Sequence, residues 1–217
     1  MPTILYKDED ILLVEKPTGI LSQEDAGGND SLPKQLAEAG LPVKPVHRLD
    51  RPTGGVMVYA RSDRAAAALS PLVGQHNRFQ KEYLAVVQEM PTPAEGEMTD
   101  LLYHDVRKNK SYPVKRERKG VRLAKLSYTV LQTVNTAQGV FSLVLVRLYT
   151  GRTHQIRVQF ASRKLPLYGD TRYGGVKGDA LGLWSHRLTL PHPITGKSVS
   201  AESNPPDTVP WNWFKYV

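Results

Sequence analysis

The sequence predicts an α+β fold built on a mixed, largely antiparallel β-sheet with flanking helices. Apolar runs of strand length outnumber segments of helical period. In the second half of the chain these runs follow one another instead of alternating with helices, which favours antiparallel pairing. No Gly-rich phosphate loop of the kind that opens a doubly wound parallel sheet is present.

Ile4-Leu5-Tyr6 and Ile11-Leu12-Leu13-Val14, separated by Lys7-Asp8-Glu9-Asp10, read as two short strands joined by a polar turn. Lys16-Pro17-Thr18-Gly19 ends the second. Ser31-Leu32-Pro33 has helix-capping chemistry, with Leu32, Leu36 and Ala39 on one face before Gly40 stops the helix. Gly55 to Ala60 is β-branched and aromatic enough for a buried strand, and Ser62-Asp63 caps the alanine-rich run from Arg64 to Leu69, with Pro71 expected to kink or restart that helix. Tyr83 to Val87, Leu126 to Val134 and Val140 to Tyr149 are further strands, the last two separated by a turn containing Gly139. Arg152 to Arg163 carries Ile156 and Phe160 at helical spacing. The pairs Gly27-Gly28, Gly54-Gly55 and Gly174-Gly175 read as turns.

At 217 residues the chain suffices for a single catalytic domain spanning 1–217. No apolar run is long enough to cross a bilayer, and the amino terminus lacks the order of a secretion signal, so a cytoplasmic protein without membrane association is expected. The absence of cysteine excludes disulfides, thiolate metal sites and thiol nucleophiles. Chemistry falls to carboxylates, histidines, hydroxyls and tyrosines.

The net charge is +8, and its placement is informative. Between His104 and Lys125 lie nine basic residues, Arg107, Lys108, Lys110, Lys115, Arg116, Arg118, Lys119, Arg122 and Lys125, against two acids, a local net charge of +7. Such a patch tracks a phosphate backbone, or is a solvated basic loop.

Two segments concentrate chemistry. In HRLDRPTGG, residues 47–55, Asp50 lies between two arginines just before a turn and a buried strand. In GRTHQIR, residues 151–157, Arg152, His154, Gln155 and Arg157 cluster where a strand yields to a helix, a place that favours anions. Taken alone, Asp50 could cap its turn, and His47 and His154 could be hydrogen-bonded turn or core residues.

Together the two segments resemble the RluA-type RNA pseudouridine synthases. Lys16-Pro17-x-Gly19 resembles the family's opening motif, and Lys81 to Val87 its K-x-Y-x-A-x-V strand. Leu167 to Asp170, Tyr173-Gly174 and Leu183 to Pro193 match as well, so the resemblance runs from about Ile4 to Val199. It implies the pseudouridine synthase fold, with an active-site cleft across the sheet. It also implies isomerisation of uridine in tRNA, rRNA or both, without metal or organic cofactor. Carried over by motif, Asp50 is the catalytic aspartate, Tyr83 the aromatic that stacks on the target base, and Arg157 the partner of Asp50. Arg48 enters the space left by the flipped nucleotide, and Leu183 lies against the base. Arg152, His154 and Gln155 are expected to bind substrate.

Two departures from the family pattern stand out. Thr53-Gly54-Gly55 replaces the common T-S-G, and Leu183-Trp184-Ser185 the common L-H-A. The chain begins directly with the catalytic motif, so no separate amino-terminal RNA-binding domain is expected, and the patch over Arg107, Lys108, Lys110, Lys115, Arg116, Arg118 and Lys119 is the candidate grip on the RNA backbone. A monomer without an obligate protein partner is expected. The aromatic tail Trp211 to Tyr216 offers two readings, stacking on RNA or docking on the fold.

Two other classes compete. A non-catalytic RNA-binding module would keep the patch without needing Asp50. A metal-dependent hydrolase would use Asp50, His47 and His154, whose spacing matches no compact ligand motif.

Overall fold

A computed structural model describes residues 2–75 and 77–215. In chain order the elements are β1 (Ile4–Lys7), β2 (Ile11–Lys16), α1 (Leu32–Glu38), β3 (Lys44–Pro45), β4 (Gly54–Ala60), α2 (Asp63–Val73), β5 (Gln80–Gln88), β6 (Glu95–Asp105), β7 (Lys110–Val114), β8 (Val121–Thr136), β9 (Gly139–Leu148), α3 (Gln155–Ser162), β10 (Leu183–Pro191) and β11 (Ser198–Glu202). The chain divides into two compact units, residues 1–81 with 184–205, and 82–183 with 206–217. Among the described residues no helix is long and apolar enough to cross a membrane.

In the first unit the strand order is β1-β2-β4-β10, with β3 on β4 and β11 on β10. Every pairing is antiparallel except β4 with β10, which makes the sheet mixed. All seven residues of β4 are buried, as a central strand covered on both faces requires. Ser31 Oγ accepts the Lys34 amide to start α1, and Leu41 N–H closes it onto Leu36 O. Ser62 Oγ accepts the Ala65 amide at the start of α2, with Asp63 in the first turn. Ala65, Leu69 and Leu72 then place one face on the core with Val56, Val58 and Leu188. Pro71 does not end α2, which continues to Val73; the proline forfeits only its own amide bond to the preceding turn.

Gly54-Gly55 is not a turn. It opens β4, pairing in parallel register with Trp184 and Ser185. Both residues lack a Cβ for a steric reason. A Cβ on Gly54 would lie 2.3 Å from the Trp184 ring, and one on Gly55, at φ +109°, would lie 2.2 Å from Ser185 O. The two departures from the family pattern therefore face each other.

In the second unit the order is β5-β9-β8-β6-β7, with antiparallel pairing of β6 with β7, β6 with β8 and β8 with β9. The 16-residue β8 extends beyond the predicted Leu126 to Val134 at both ends, with an irregularity between Val130 and Gln132 where the register shifts past Leu131. The basic segment is neither a loop nor a helix: it is the end of β6, all of β7 and the start of β8, with their two connecting turns. Leu102, Ala124 and Val158 form a small core under α3, and Tyr128 meets Phe160 edge to face at 5.6 Å. The aromatic tail docks. Trp213 stacks obliquely on Phe141 at 5.1 Å, and Trp211 and Phe214 are buried. Tyr216 lies outside the described residues.

Candidate active site

Asp50 stands on the turn that leads into β4, where Thr53 N–H donates to Asp50 O at 2.9 Å. The turn is held by the opening motif. Gly19 N–H donates to Arg51 O, and Arg51 Nε donates back to Gly19 O, at 2.9 and 2.8 Å. Ser22 Oγ donates to Leu49 O and accepts the Leu49 amide, while Tyr59 OH fixes Ser22 O. Leu49 is buried, Asp50 half-buried and Arg48 exposed. A buried neighbour and a clasped backbone aim the carboxylate without tying it into a helix or strand.

Lys16 is the fastening point. Its side chain is completely buried, and its ammonium donates to the carbonyls of Pro17, Ile20 and Arg51 at 2.8, 2.9 and 3.3 Å. Three carbonyls match the three donors of an ammonium. Burial pushes its pKa down to about 8, with the Asp50 carboxylate raising it and Arg51 lowering it further. The ammonium is thus a fixed positive charge close enough to the Asp50 carboxylate to interact with it. The resemblance pointed to the Lys-Pro motif but assigned it no task. Only the fold reveals a buried cation behind the carboxylate.

His47 is a structural residue of the same unit. Its Nε2 accepts the Val58 amide at 3.1 Å, and its ring meets Phe79 edge-on. Burial, assisted by the charge of Lys81, pushes its pKa down to about 3. The cluster Asp8, Asp10 and His192 has atoms close enough to suggest a metal site. Its hydrogen bonds argue otherwise. His192 Nδ1 accepts the amides of Ile194 and Thr195, which leaves the proton on Nε2 to donate to Asp8 Oδ2 at 2.9 Å.

In the second unit, Arg157 lies in the first turn of α3, buried to 6% exposure. Its Nε and one terminal nitrogen donate to the two oxygens of Asp170 at 2.7 and 2.8 Å, and its guanidinium lies 5.3 Å from the Tyr173 ring centroid. A bidentate pair locks the planar guanidinium in orientation as well as position. Tyr173 OH accepts the Ser111 amide at 2.8 Å and meets His154 Nδ1 at 3.0 Å. Burial raises the Tyr173 pKa. Asp170 and Tyr173 belonged to matching motifs, but nothing in their spacing from Arg157 announced that they hold it.

The helix starts at Gln155, not at Arg152 as predicted, because His154 occupies a left-handed conformation, φ 55°, that ends the loop. Gln155 is buried, and its amide staples this entry. Its Oε1 accepts from Thr150 Oγ1 and the Arg152 amide, and its Nε2 donates to Lys125 O. Arg152 is exposed, with Nε donating to Leu123 O at 2.9 Å. Tyr83 is buried on β5, between Lys81 and Ala85 in the strand's alternation, and Leu183 is buried at the start of β10. The first unit thus brings Asp50 together with Lys16 beside an exposed Arg48, and the second gathers His154 and Arg157 around Tyr173. Arg107, Lys108, Lys110, Lys115, Arg116, Arg118 and Lys119 occupy the two turns on either side of β7 and that strand's first residue.

Comparison with known proteins matches residues 10–162 to the family model described as RNA pseudouridylate synthase. An uncharacterized RNA pseudouridine synthase of Aquifex aeolicus is 32% identical over 227 residues, covering 94% of this chain and 70% of its own length. The dual-specificity RNA pseudouridine synthase RluA of Salmonella typhi is 32% identical, covering 91% of this chain and 90% of its own. Among solved structures, human RNA pseudouridylate synthase domain containing 1 superposes with a TM-score of 0.80 at 23% identity, over 96% of this chain and 85% of that one, which supports the fold.

Proposed function

The chain belongs to the RNA pseudouridylate synthase family, an isomerase family acting on RNA, and from that premise we propose that it converts specific uridines of tRNA, rRNA or both to pseudouridine with Asp50 as the attacking carboxylate. The observation that carries the reading is Asp50 itself, held half-exposed on a clasped turn in front of the buried Lys16 ammonium.

Pseudouridylation breaks the bond from ribose carbon 1′ to uracil nitrogen 1 and rejoins the base through carbon 5. The change is redox-neutral. An ionised carboxylate can add to the uracil ring, attack the sugar or remove a sugar proton, and each route begins from charged Asp50. Lys16 supplies a buried positive charge near that carboxylate from within the same unit. Arg157, locked by Asp170, is the guanidinium assigned to oppose the carboxylate. The target base must leave its stack at a cost of about a few kcal/mol, and a ring such as Tyr83 offsets about 1–3 kcal/mol of it by stacking. Arg48 is assigned to the space the base vacates, and Leu183 to the wall of the pocket. Arg152 and His154 complete the substrate contacts, while Gln155 maintains the helix entry beside them.

The basic turns around β7 are assigned to the RNA backbone. The name of the Salmonella relative records dual specificity, which supports more than one RNA substrate. We assign the chain to the cytoplasm as a monomer.

The test is release of tritium from tRNA and rRNA labelled at uridine carbon 5. Wild-type protein should release label and Asp50→Ala should release none while remaining folded. Label released equally by Asp50→Ala would remove Asp50 from the chemistry.

A further inference from the structure

The sheet of the second unit has an outer face whose side chains suit an unpaired RNA strand. On one face Leu102 and Ala124 pack with Val158, and Tyr128 meets Phe160, both from α3. Strand alternation sends the intervening residues of β6, β7 and β8 to the opposite face. Their register makes Tyr112, Tyr103 and Val121 one cross-strand row, and Val114, Leu101 and Leu123 the next.

This row of rings and aliphatic groups is not sealed. Tyr103, Tyr112, Leu101 and Val114 are half-buried, and Leu123 is 50% exposed. A depression of about 510 Å³ is lined by Leu101, Glu117, Arg118, Val121, Arg122 and Leu123. The Arg118 guanidinium lies 5.0 Å from the Tyr103 ring centroid, and Lys110 Nζ, at the edge of the face, lies 5.8 Å from that of Tyr112 and 5.2 Å from that of Tyr173. Both turns bordering the face carry the segment's excess positive charge. An apolar protein partner would explain Leu123 but not the Arg118 guanidinium over the Tyr103 ring or the lysines and arginines of the bordering turns. Bases stack on tyrosine rings and on guanidinium planes, and lysines follow the phosphates between them.

We propose that the outer face of β6, β7 and β8 is a binding platform for a single-stranded segment of the RNA substrate, with bases stacking at Tyr103–Arg118 and at Tyr112 and the flanking turns holding the phosphates. The platform rests on the RNA-modifying reading above and adds to it a substrate feature, an unpaired stretch outside the target uridine.

The test uses the full chain and two fluorescein-labelled probes, a 12-nucleotide oligouridylate and an RNA duplex of the same length, read by fluorescence anisotropy. The oligouridylate should bind more tightly than the duplex. Tyr103→Ala combined with Tyr112→Ala should weaken it on the order of tenfold or more for each ring lost, while Tyr103→Phe with Tyr112→Phe retains binding. Leu123→Glu changes an exposed position, so it tests the face should the alanine variant fail to fold, and it should also weaken oligouridylate binding. Unchanged oligouridylate affinity in folded Leu123→Glu, or equal affinity for strand and duplex, would overturn the platform. A change in oligomeric state on Leu123→Glu with oligouridylate affinity intact would do the same in favour of a protein contact. Tritium release by the wild type, measured in parallel, separates the two readings: release without ring-dependent binding refutes the platform alone, and ring-dependent binding without release refutes the synthase reading alone.

Discussion

Gly54 and Trp184 should be energetically coupled, and the size of the coupling follows from their geometry. A Cβ at position 54 falls 2.3 Å from Trp184 Cζ3, so the indole must retreat about 1.1 Å to restore an ordinary contact of 3.4 Å. It has little freedom to do so. The ring is 4% exposed, and its Nε1 donates to Ser203 O at 3.0 Å. Overpacking of this kind costs about 1–3 kcal/mol, and loss of the indole hydrogen bond adds about 1 kcal/mol. Gly54→Ser should therefore destabilise the protein by about 2–4 kcal/mol. Trp184→His alone empties part of the site at a cost of about 2–4 kcal/mol. The double substitution restores both residues of the common family pattern, and it should cost less than the sum of the single ones by at least about 1 kcal/mol. Urea denaturation followed by far-ultraviolet circular dichroism, over the four proteins of the cycle, measures this directly. A neutral Gly54→Ser, or single costs that simply add, would refute the idea that the two departures compensate for each other.

Asp170→Asn should cost about 3–5 kcal/mol, because it breaks a buried bidentate pair, whereas Arg157→Met with Asp170→Leu should recover most of that stability without recovering tritium release. Equal stability of Asp170→Asn and the wild type in denaturant would remove Asp170 as the support of Arg157. The neutral His47 imidazole gives a pH signature. With a folded-state pKa near 3 against about 6.5 when unfolded, the unfolded chain binds the extra proton between these values. This contribution is therefore complete above about pH 6.5 and is lost as pH falls, at up to about 1.4 kcal/mol per pH unit. Urea midpoints from pH 7 to 5 should fall more steeply for the wild type than for His47→Gln. Parallel curves would show that the imidazole is not held neutral.

The sequence alone determined the fold class and the elements whose signals are local. The caps Ser31 and Ser62 act one helical turn away, and the apolar runs of β2 and β4 read as strands because burial on both faces leaves no polar positions. Asp50 reads from its neighbours as standing just before a turn and a buried strand, and the structure puts it on the turn that leads into β4. Locality also marks where the reading stopped. β6, β7 and the flanks of β8 are rich in charge because one side of that sheet is open, so their composition read as a patch and not as strands.

The remaining features were decided by tertiary structure. Gly54-Gly55 looked like a turn because a lone sequence cannot show that Trp184, 130 residues later, occupies the space of the missing Cβ. Lys16 showed only as the end of a strand and the start of a motif until its ammonium found three carbonyls, one of them 35 residues away at Arg51. Asp170 and Tyr173 gained their roles only when the turn after α3 folded back onto Arg157. In each case the deciding interaction is a steric or electrostatic contact between residues distant in the chain. Chain spacing carries information about neighbours within a turn or a strand pair, and close packing supplies the rest.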